Sequence, residues 1–170
     1  MSTIYLDNAA TTRVREEVVS VISSIINKEY GNPSSTHSYG RSSKSLIESS
    51  RKEIADILNV KSSEIIFTSG GTEGDNMIIR NCVNNLGVSH IITTKIEHHA
   101  VTHTIDDLIR SNNINVSYVK VSKSGHVDLN DLEKILKRSD EKSLVSLMHI
   151  NNEIGNITDL QLVSVICHKY

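Results

Sequence analysis

Residues 65–76 read IIFTSGGTEGDN. The apolar start of this stretch predicts a short buried strand at residues 64–68, and Gly70 and Gly71 predict a turn that ends it. Thr72 and Asp75 form a helix-capping pattern, so the next helix is predicted to begin near Thr72. A strand, a glycine turn and a helix in this order are typical of one unit of an α/β fold.

The same alternation continues on both sides of this unit. Asp128 is predicted to cap a helix, residues 31–35 form a turn-rich break, and a last helix is predicted from about Thr158. Helical spacing of apolar residues occurs at 14–26, 46–58, 101–109 and 129–136, and further strands are predicted at 90–94, 116–121 and 144–150. Repeated strand–helix–strand units predict a mainly parallel sheet with helices on both faces.

The composition is that of a globular protein without a strong charge bias. The chain has 170 residues, 38% of them apolar and 22% charged, with a formal net charge of -2. This balance gives no broad attraction to nucleic acid or to acidic membranes. The sequence shows neither an apolar run of membrane-spanning length nor a secretory leader, which favours the cytoplasm. Its two cysteines, Cys82 and Cys167, lie in apolar helical patterns and are predicted to be buried thiols without a disulfide.

The turn at Gly70 and Gly71 has two interpretations. Its backbone N–H groups and the helix N-terminus that follows suit a phosphate, with the Thr72 hydroxyl as a further donor. The stretch lacks the Gly-Lys-Ser/Thr ending of a P-loop and the spacing of Gly-x-Gly-x-x-Gly, so its spacing alone favours an ordinary glycine turn capped by Thr72.

A histidine cluster, EHHAVTH, follows the predicted strand at residues 90–94. His99 and His103 are four residues apart and share a helix face, as metal ligands sometimes do. The glutamate of a His-Glu-x-x-His motif and a third ligand are missing, so we expect a solvated helix start and no metal. His98 lies at the mouth of the expected ligand crevice, where an imidazole can stack on a flat cofactor or move protons.

Two asparagines follow the strand predicted at residues 144–150, in the sequence MHINNEIG. Adjacent asparagines can turn or cap the chain, and an amide can also hydrogen-bond a ring oxygen without adding charge. Thr72, His98 and Asn152 each follow a predicted strand. Because parallel strands end at the same edge of a sheet, these three side chains are predicted to converge.

Taken together, these segments resemble the cysteine desulfurases of the class V aminotransferase family. The resemblance implies an α/β fold, a partial large domain of the fold-type I pyridoxal-phosphate-dependent transferases at residues 14–170. Residues 1–13 would be an extended segment that contributes to the small domain. The motifs occur in the family's order and spacing at residues 5–12, 31–35, 37, 40–41, 68–76, 97–98 and 149–155.

The resemblance also implies site residues and chemistry. Gly71 and Thr72 would bind the phosphate of pyridoxal 5'-phosphate, and Asn152 would hydrogen-bond the phenolic oxygen of its ring. His98 would stack on the ring and act catalytically in proton transfer. The substrate would be L-cysteine, which yields alanine and an enzyme persulfide for iron–sulfur cluster assembly or tRNA thiolation. The complete protein would be a homodimer that passes sulfur to a scaffold or other acceptor protein, without direct nucleic-acid or membrane binding.

In this family the Schiff-base lysine, the ring-nitrogen aspartate, a nearby glutamine and the nucleophilic cysteine lie on segments beyond residue 170. We therefore expect a truncated chain that has no desulfurase activity alone and is poorly stable because of an unpaired sheet edge. Lys169 comes too early for the Schiff-base role and is predicted to be a surface lysine. Alternatives are a selenocysteine lyase, another class V member, or a non-catalytic module that pairs with a partner.

Overall fold

The computed structural model describes residues 3–112 and 114–170. The chain divides into two units, Met1–Phe67 and Thr68–Tyr170. The division proposed after residue 13 stays a prediction.

The first unit contains two of the predicted helices, α1 at Glu16–Lys28 and α2 at Ser38–Leu58. α2 is capped by His37, whose Nδ1 accepts a hydrogen bond from the Gly40 N–H at 3.4 Å. The turn before it requires glycine at Gly31, because a Cβ there would overlap the backbone carbonyl of Tyr39. These contacts confirm the predicted turn between two helices.

The strand predicted at residues 64–68 is wrong. A 3-10 turn occupies Ser62–Glu64, and Ile66 is 64% exposed. A strand is stabilised by its hydrogen-bonded neighbours, and the sheet of the described chain does not include this segment. Arg51 of α2 holds it instead: its guanidinium donates to the Ile65 carbonyl and lies 4.8 Å from the centre of the Phe67 ring.

The second unit is an α/β arrangement around a three-stranded parallel sheet. Its strands are β1 at His90–Thr93, β2 at Asn115–Tyr118 and β3 at Ser143–Val145. The strand order is β2-β1-β3, and His90 is in register with Asn115 and Ser143. Both pairings are parallel, which confirms the predicted fold class. In chain order the elements are α3 Gly71–Leu86, β1 His90–Thr93, α4 His99–Asn112, β2 Asn115–Tyr118, α5 Leu129–Arg138, β3 Ser143–Val145 and α6 Leu160–Cys167.

The central strand β1 divides the apolar core into two layers. Successive side chains of a strand point to opposite faces, so Ile91 and Ile92 belong to different layers. Ile91 packs with residues of α3 and α4, such as Ile105. Ile92 packs with residues of α5 and α6, such as Leu132 and Val163. Helices therefore cover both faces of the sheet, as the alternating pattern predicts.

Two helix starts test the capping predictions. The cap at Asp128 is confirmed, because its Oδ1 accepts the N–H groups of Asn130 and Asp131 at 3.0 and 3.1 Å. The start predicted near Thr72 is confirmed, because α3 begins at Gly71. The Thr72 cap is wrong, because the N-cap of α3 is Gly70, which makes no side-chain cap bond.

The strand predicted at residues 144–150 is shorter than expected. β3 ends at Val145 and is only half-buried, because it lies at the edge of the described sheet. Ile150 instead forms an antiparallel bridge with Ile157 across a turn.

Both cysteines are free, as predicted, but Cys82 and Cys167 are half-buried rather than fully enclosed. Among the described residues, the helices are too short or too polar to span a bilayer.

Candidate functional site

The candidate site lies where the chain leaves β1 and β3, two neighbouring parallel strands. β1 leads through residues 94–98 into α4, and β3 leads to the turn at residues 151–156. Because the strands are parallel and adjacent, these two loops lie at the same edge of the sheet.

His98 is the N-cap of α4. Its Nδ1 accepts a hydrogen bond from the Ala100 N–H at 3.1 Å, and its carbonyl accepts the N–H of Val101 at 2.9 Å. A ring nitrogen that accepts an N–H carries no proton, so the neutral imidazole is protonated at Nε2. The cap thus fixes both the ring and its tautomer.

Two adjoining cavities bring the predicted site residues together. Thr72 and His98 line a cavity of about 240 Å³ at the starts of α3 and α4. His98 and Asn152 line a second cavity of about 150 Å³ between the two loops. The cavities share His98 and His99, so His98 borders both the cavity lined by Thr72 and the cavity lined by Asn152. Gly71 lines neither cavity.

The start of α3 offers space for an anion. A Cβ built on Gly70 or Gly71 would meet no atom within 4 Å. The first N–H groups of the helix have no side-chain cap, and a helix N-terminus attracts negative charge. The Glu73 carboxylate does not block them, because it accepts the Ser69 hydroxyl and N–H, both at 2.6 Å. The hydrogen bond from the Ser69 hydroxyl has the larger effect and the one from the Ser69 N–H the smaller, and both lower the pKa of the Glu73 carboxyl.

Contacts between α3 and α4 fix the first cavity. Asn76 Nδ2 donates to the Thr72 carbonyl at 2.9 Å and to the Ala100 carbonyl at 3.5 Å. One turn further, Arg80 forms an ion pair with Asp107 at 2.8 Å. Two successive turns of α3 therefore contact α4, and these contacts hold the start of α3 beside the start of α4, where His98 is the cap.

The remaining histidines of the cluster stack on the surface of α4. The rings of His99 and His103 are 5.0 Å apart. Within residues 3–112 and 114–170, groups of three or more His, Cys, Asp or Glu side chains suited to a metal do not occur. The expectation that this cluster binds no metal stays a prediction.

Lys169 and Cys167 lie on or after α6. Lys169 is 52% exposed at its side chain and pairs with Glu133 of α5 at 2.8 Å, which confirms the predicted surface lysine. Burial raises the pKa of the Cys167 thiol, so its reactive thiolate is disfavoured.

Two residues of these loops, Asn151 and Glu97, were not among the predicted site residues. Asn151 is 6% exposed, and its Nδ2 donates to the Ile96 carbonyl at 2.9 Å. Glu97 accepts the Thr94 hydroxyl at 2.7 Å and lines the same cavity as Met148. The two adjacent asparagines, Asn151 and Asn152, were a signal that this turn has a special role. The sequence pattern did not show which of the two side chains is buried.

Residues 4–170 match the family model for aminotransferase class-V, and the chain belongs to this family. A cysteine desulfurase IscS of Dictyoglomus turgidum is 43% identical over 98% of this chain and 42% of its own length. A cysteine desulfurase IscS of Methanosarcina thermophila is 42% identical over 98% of this chain and 41% of its own length. The chain thus spans less than half the length of these curated relatives.

Solved structures show the same likeness. A NifS-like protein superposes with a TM-score of 0.87 at 38% identity, over 95% of this chain and 44% of that protein. A structure of SspA in complex with cysteine superposes with a TM-score of 0.86 at 28% identity, over 98% of this chain and 48% of that protein. These matches confirm the family resemblance and the α/β fold.

Proposed function

We propose that the chain is part of a cysteine desulfurase that uses pyridoxal phosphate and takes sulfur from L-cysteine. The observation that carries this proposal is the placement of Thr72, His98 and Asn152 around two adjoining cavities. The names of the relatives support cysteine, rather than selenocysteine, as the substrate.

The residues present fit the cofactor. The N–H groups of Gly71 and Thr72, with the Thr72 hydroxyl, would bind the phosphate at the open start of α3. The capped imidazole of His98 offers a flat face for stacking, and the Asn152 amide would hydrogen-bond the phenolic oxygen. When bound, pyridoxal phosphate supplies a ring that withdraws electrons from the reacting bonds of an amino acid.

His98 has a second role in this proposal. Its Nδ1 is occupied by the Ala100 N–H, so Nε2 is the nitrogen that holds or gives up a proton. The cap keeps the ring from rotating while the proton moves. His98 is thus the catalytic residue that this chain contributes.

The whole enzyme would release alanine and keep the sulfur as a persulfide on a cysteine thiolate. By the family resemblance, that cysteine and the Schiff-base lysine lie beyond residue 170. The enzyme would act as a cytoplasmic homodimer and pass sulfur to an iron–sulfur scaffold or another acceptor protein. Residues 1–13 would contribute to its small domain.

A chimera tests the proposal. Residues 1–170 replace the matching portion of the Dictyoglomus turgidum relative, which retains its own remaining chain. We expect alanine release from L-cysteine with added pyridoxal phosphate, and loss of this release in a His98→Ala chimera. A folded chimera that binds the cofactor and releases no alanine would refute the proposal.

The 170-residue chain alone serves as a second test. It should release no alanine, because Lys169 is a surface residue paired with Glu133. Clear turnover by this chain would show that the assignment of the missing groups is wrong.

A further inference from the structure

We infer that Asn151 and Glu97 are positioning residues: Asn151 clamps the loop after β1 to the loop after β3, Glu97 braces the first of these loops, and together they set the separation of His98 and Asn152. The inference rests on the proposed function for its cofactor role, while the clamp itself is a property of the folded chain. We call these two side chains the loop clamp.

Asn151 joins the loops through both ends of its amide. Its Oδ1 accepts the N–H groups of Glu153 and Ile154 at 3.0 and 3.2 Å, which shapes its own turn. Its Nδ2 donates across to the Ile96 carbonyl at 2.9 Å. Because Asn151 is almost fully buried, water cannot easily replace these bonds.

Glu97 braces the first of these loops. Its carboxylate accepts the Thr94 hydroxyl at 2.7 Å, and it lines the same cavity as Met148 and Asn151 of the other loop. Thr94 is itself buried just after β1, and its hydroxyl also accepts the Ile96 N–H at 3.3 Å. The carbonyl that receives the Asn151 amide thus belongs to a loop segment that Thr94 and Glu97 hold in place.

The clamp lies directly beside the residues proposed to contact the cofactor. Glu97 precedes His98 and Asn151 precedes Asn152, so each clamp residue is one peptide unit, about 3.8 Å between Cα atoms, from its neighbour. Loops between strands and helices are ordinarily the more mobile parts of a domain. The Asn151 bond across the loops, with the Thr94–Glu97 bond inside the first loop, therefore places His98 and Asn152 before any ligand arrives.

The test compares three serine or alanine variants of the 170-residue chain. Asn151→Ser retains an oxygen that can accept turn N–H groups but cannot reach the Ile96 carbonyl. Asn156→Ser is the matched control, because the Asn156 amide donates to Ser124 at 2.7 Å and not to the β1 loop. Asn151→Ala removes both functions of the amide.

Three readouts are measured on each variant: amide hydrogen exchange of residues 96–101, the His98 imidazole NMR resonance, and the dissociation constant of pyridoxal phosphate. We expect Asn151→Ser to raise exchange and the dissociation constant about 2- to 13-fold, the factor that loss of one ordinary hydrogen bond gives. The His98 resonance should shift as well. Asn156→Ser should match the parent in all three.

Glu97 provides an independent arm. Glu97→Gln retains an oxygen that accepts the Thr94 hydroxyl and should rescue the exchange protection that Glu97→Ala loses. If both Glu97 variants exchange like the parent, the bracing role of Glu97 is wrong.

The outcomes separate the clamp from the proposed function. Unchanged exchange at residues 96–101 in Asn151→Ser would overturn the clamp. Faster exchange with an unshifted His98 resonance would overturn the positioning role. If the parent chain binds no pyridoxal phosphate, the proposed cofactor site fails, and exchange and the His98 resonance still decide the clamp.

Discussion

Replacement of His98 separates two roles that its imidazole combines. Nδ1 caps α4 through the Ala100 N–H at 3.1 Å, and the ring is proposed to stack on the cofactor. His98→Asn keeps a capping side chain, because asparagine is among the best N-cap residues, and it removes the ring. His98→Ala removes both.

The magnitudes follow from these contacts. Loss of an N-cap side chain costs about 0.5–2 kcal/mol in stability, so His98→Ala should be less stable than His98→Asn by that amount. An aromatic stacking contact contributes about 0.5–1.5 kcal/mol. Both variants should therefore bind pyridoxal phosphate about 2- to 13-fold more weakly than the parent, since 1.4 kcal/mol corresponds to a factor of ten.

Urea unfolding, followed by circular dichroism, measures the first difference, and titration followed by absorbance measures the second. His98→Asn should retain the stability of the parent and lose cofactor affinity. If it binds the cofactor as tightly as the parent, the stacking role is wrong. If His98→Ala is as stable as His98→Asn, the cap contributes nothing.

Three further predictions concern other parts of the second unit. Leu132→Ala, at a side chain with 0% exposure, should lower the free energy of unfolding in urea by about 2–5 kcal/mol. Leu86→Ala, at a side chain that is 52% exposed, should lower the free energy of unfolding far less. An equal loss of stability in the two variants would contradict the packing of Leu132 in the core. Burial raises the pKa of Glu97, so the folded chain binds this proton more tightly than the unfolded chain. As pH falls from 7 through that raised pKa, the parent should therefore gain stability relative to Glu97→Gln; a difference that is constant between pH 4 and 7 would argue against this. Lys169→Ala removes only an exposed ion pair with Glu133 and should cost less than about 1 kcal/mol in urea unfolding, with cofactor affinity unchanged in a titration. Loss of cofactor binding in this variant would show that Lys169 takes part in the cofactor site, and would contradict its assignment as a surface residue.

The helices and the parallel sheet could be predicted because apolar spacing records which face each element buries. Leu132 and Leu136 are buried one turn apart on α5, as the pattern requires. Asp128 was predictable as a cap because its bonds go to its own next residues, Asn130 and Asp131. Such local contacts depend only on sequence separation.

The errors come from features that depend on distant neighbours. Ile66 belongs to an apolar stretch that reads as a strand, yet its backbone joins no sheet in the described chain. Thr72 has the residue pattern of a cap, but the N-cap of α3 is Gly70, two residues earlier.

The candidate site shows the same limit. The places of His98 and Asn152 could be predicted because they follow β1 and β3, whereas the strand expected before Thr72 does not form. The placement of these side chains around two adjoining cavities required coordinates. Asn151 was missed because its partner, the Ile96 carbonyl, lies 55 residues away along the chain.

The alternation of Ile91 and Ile92 in β1 has a consequence for how this fold can diverge. Each isoleucine belongs to one apolar layer, and both layers are built from strand and helix residues. The candidate site residues His98 and Asn152 belong to neither layer. Selection can therefore exchange residues in the loops after β1 and β3, and with them the molecule recognised, while the packing of the sheet is inherited unchanged.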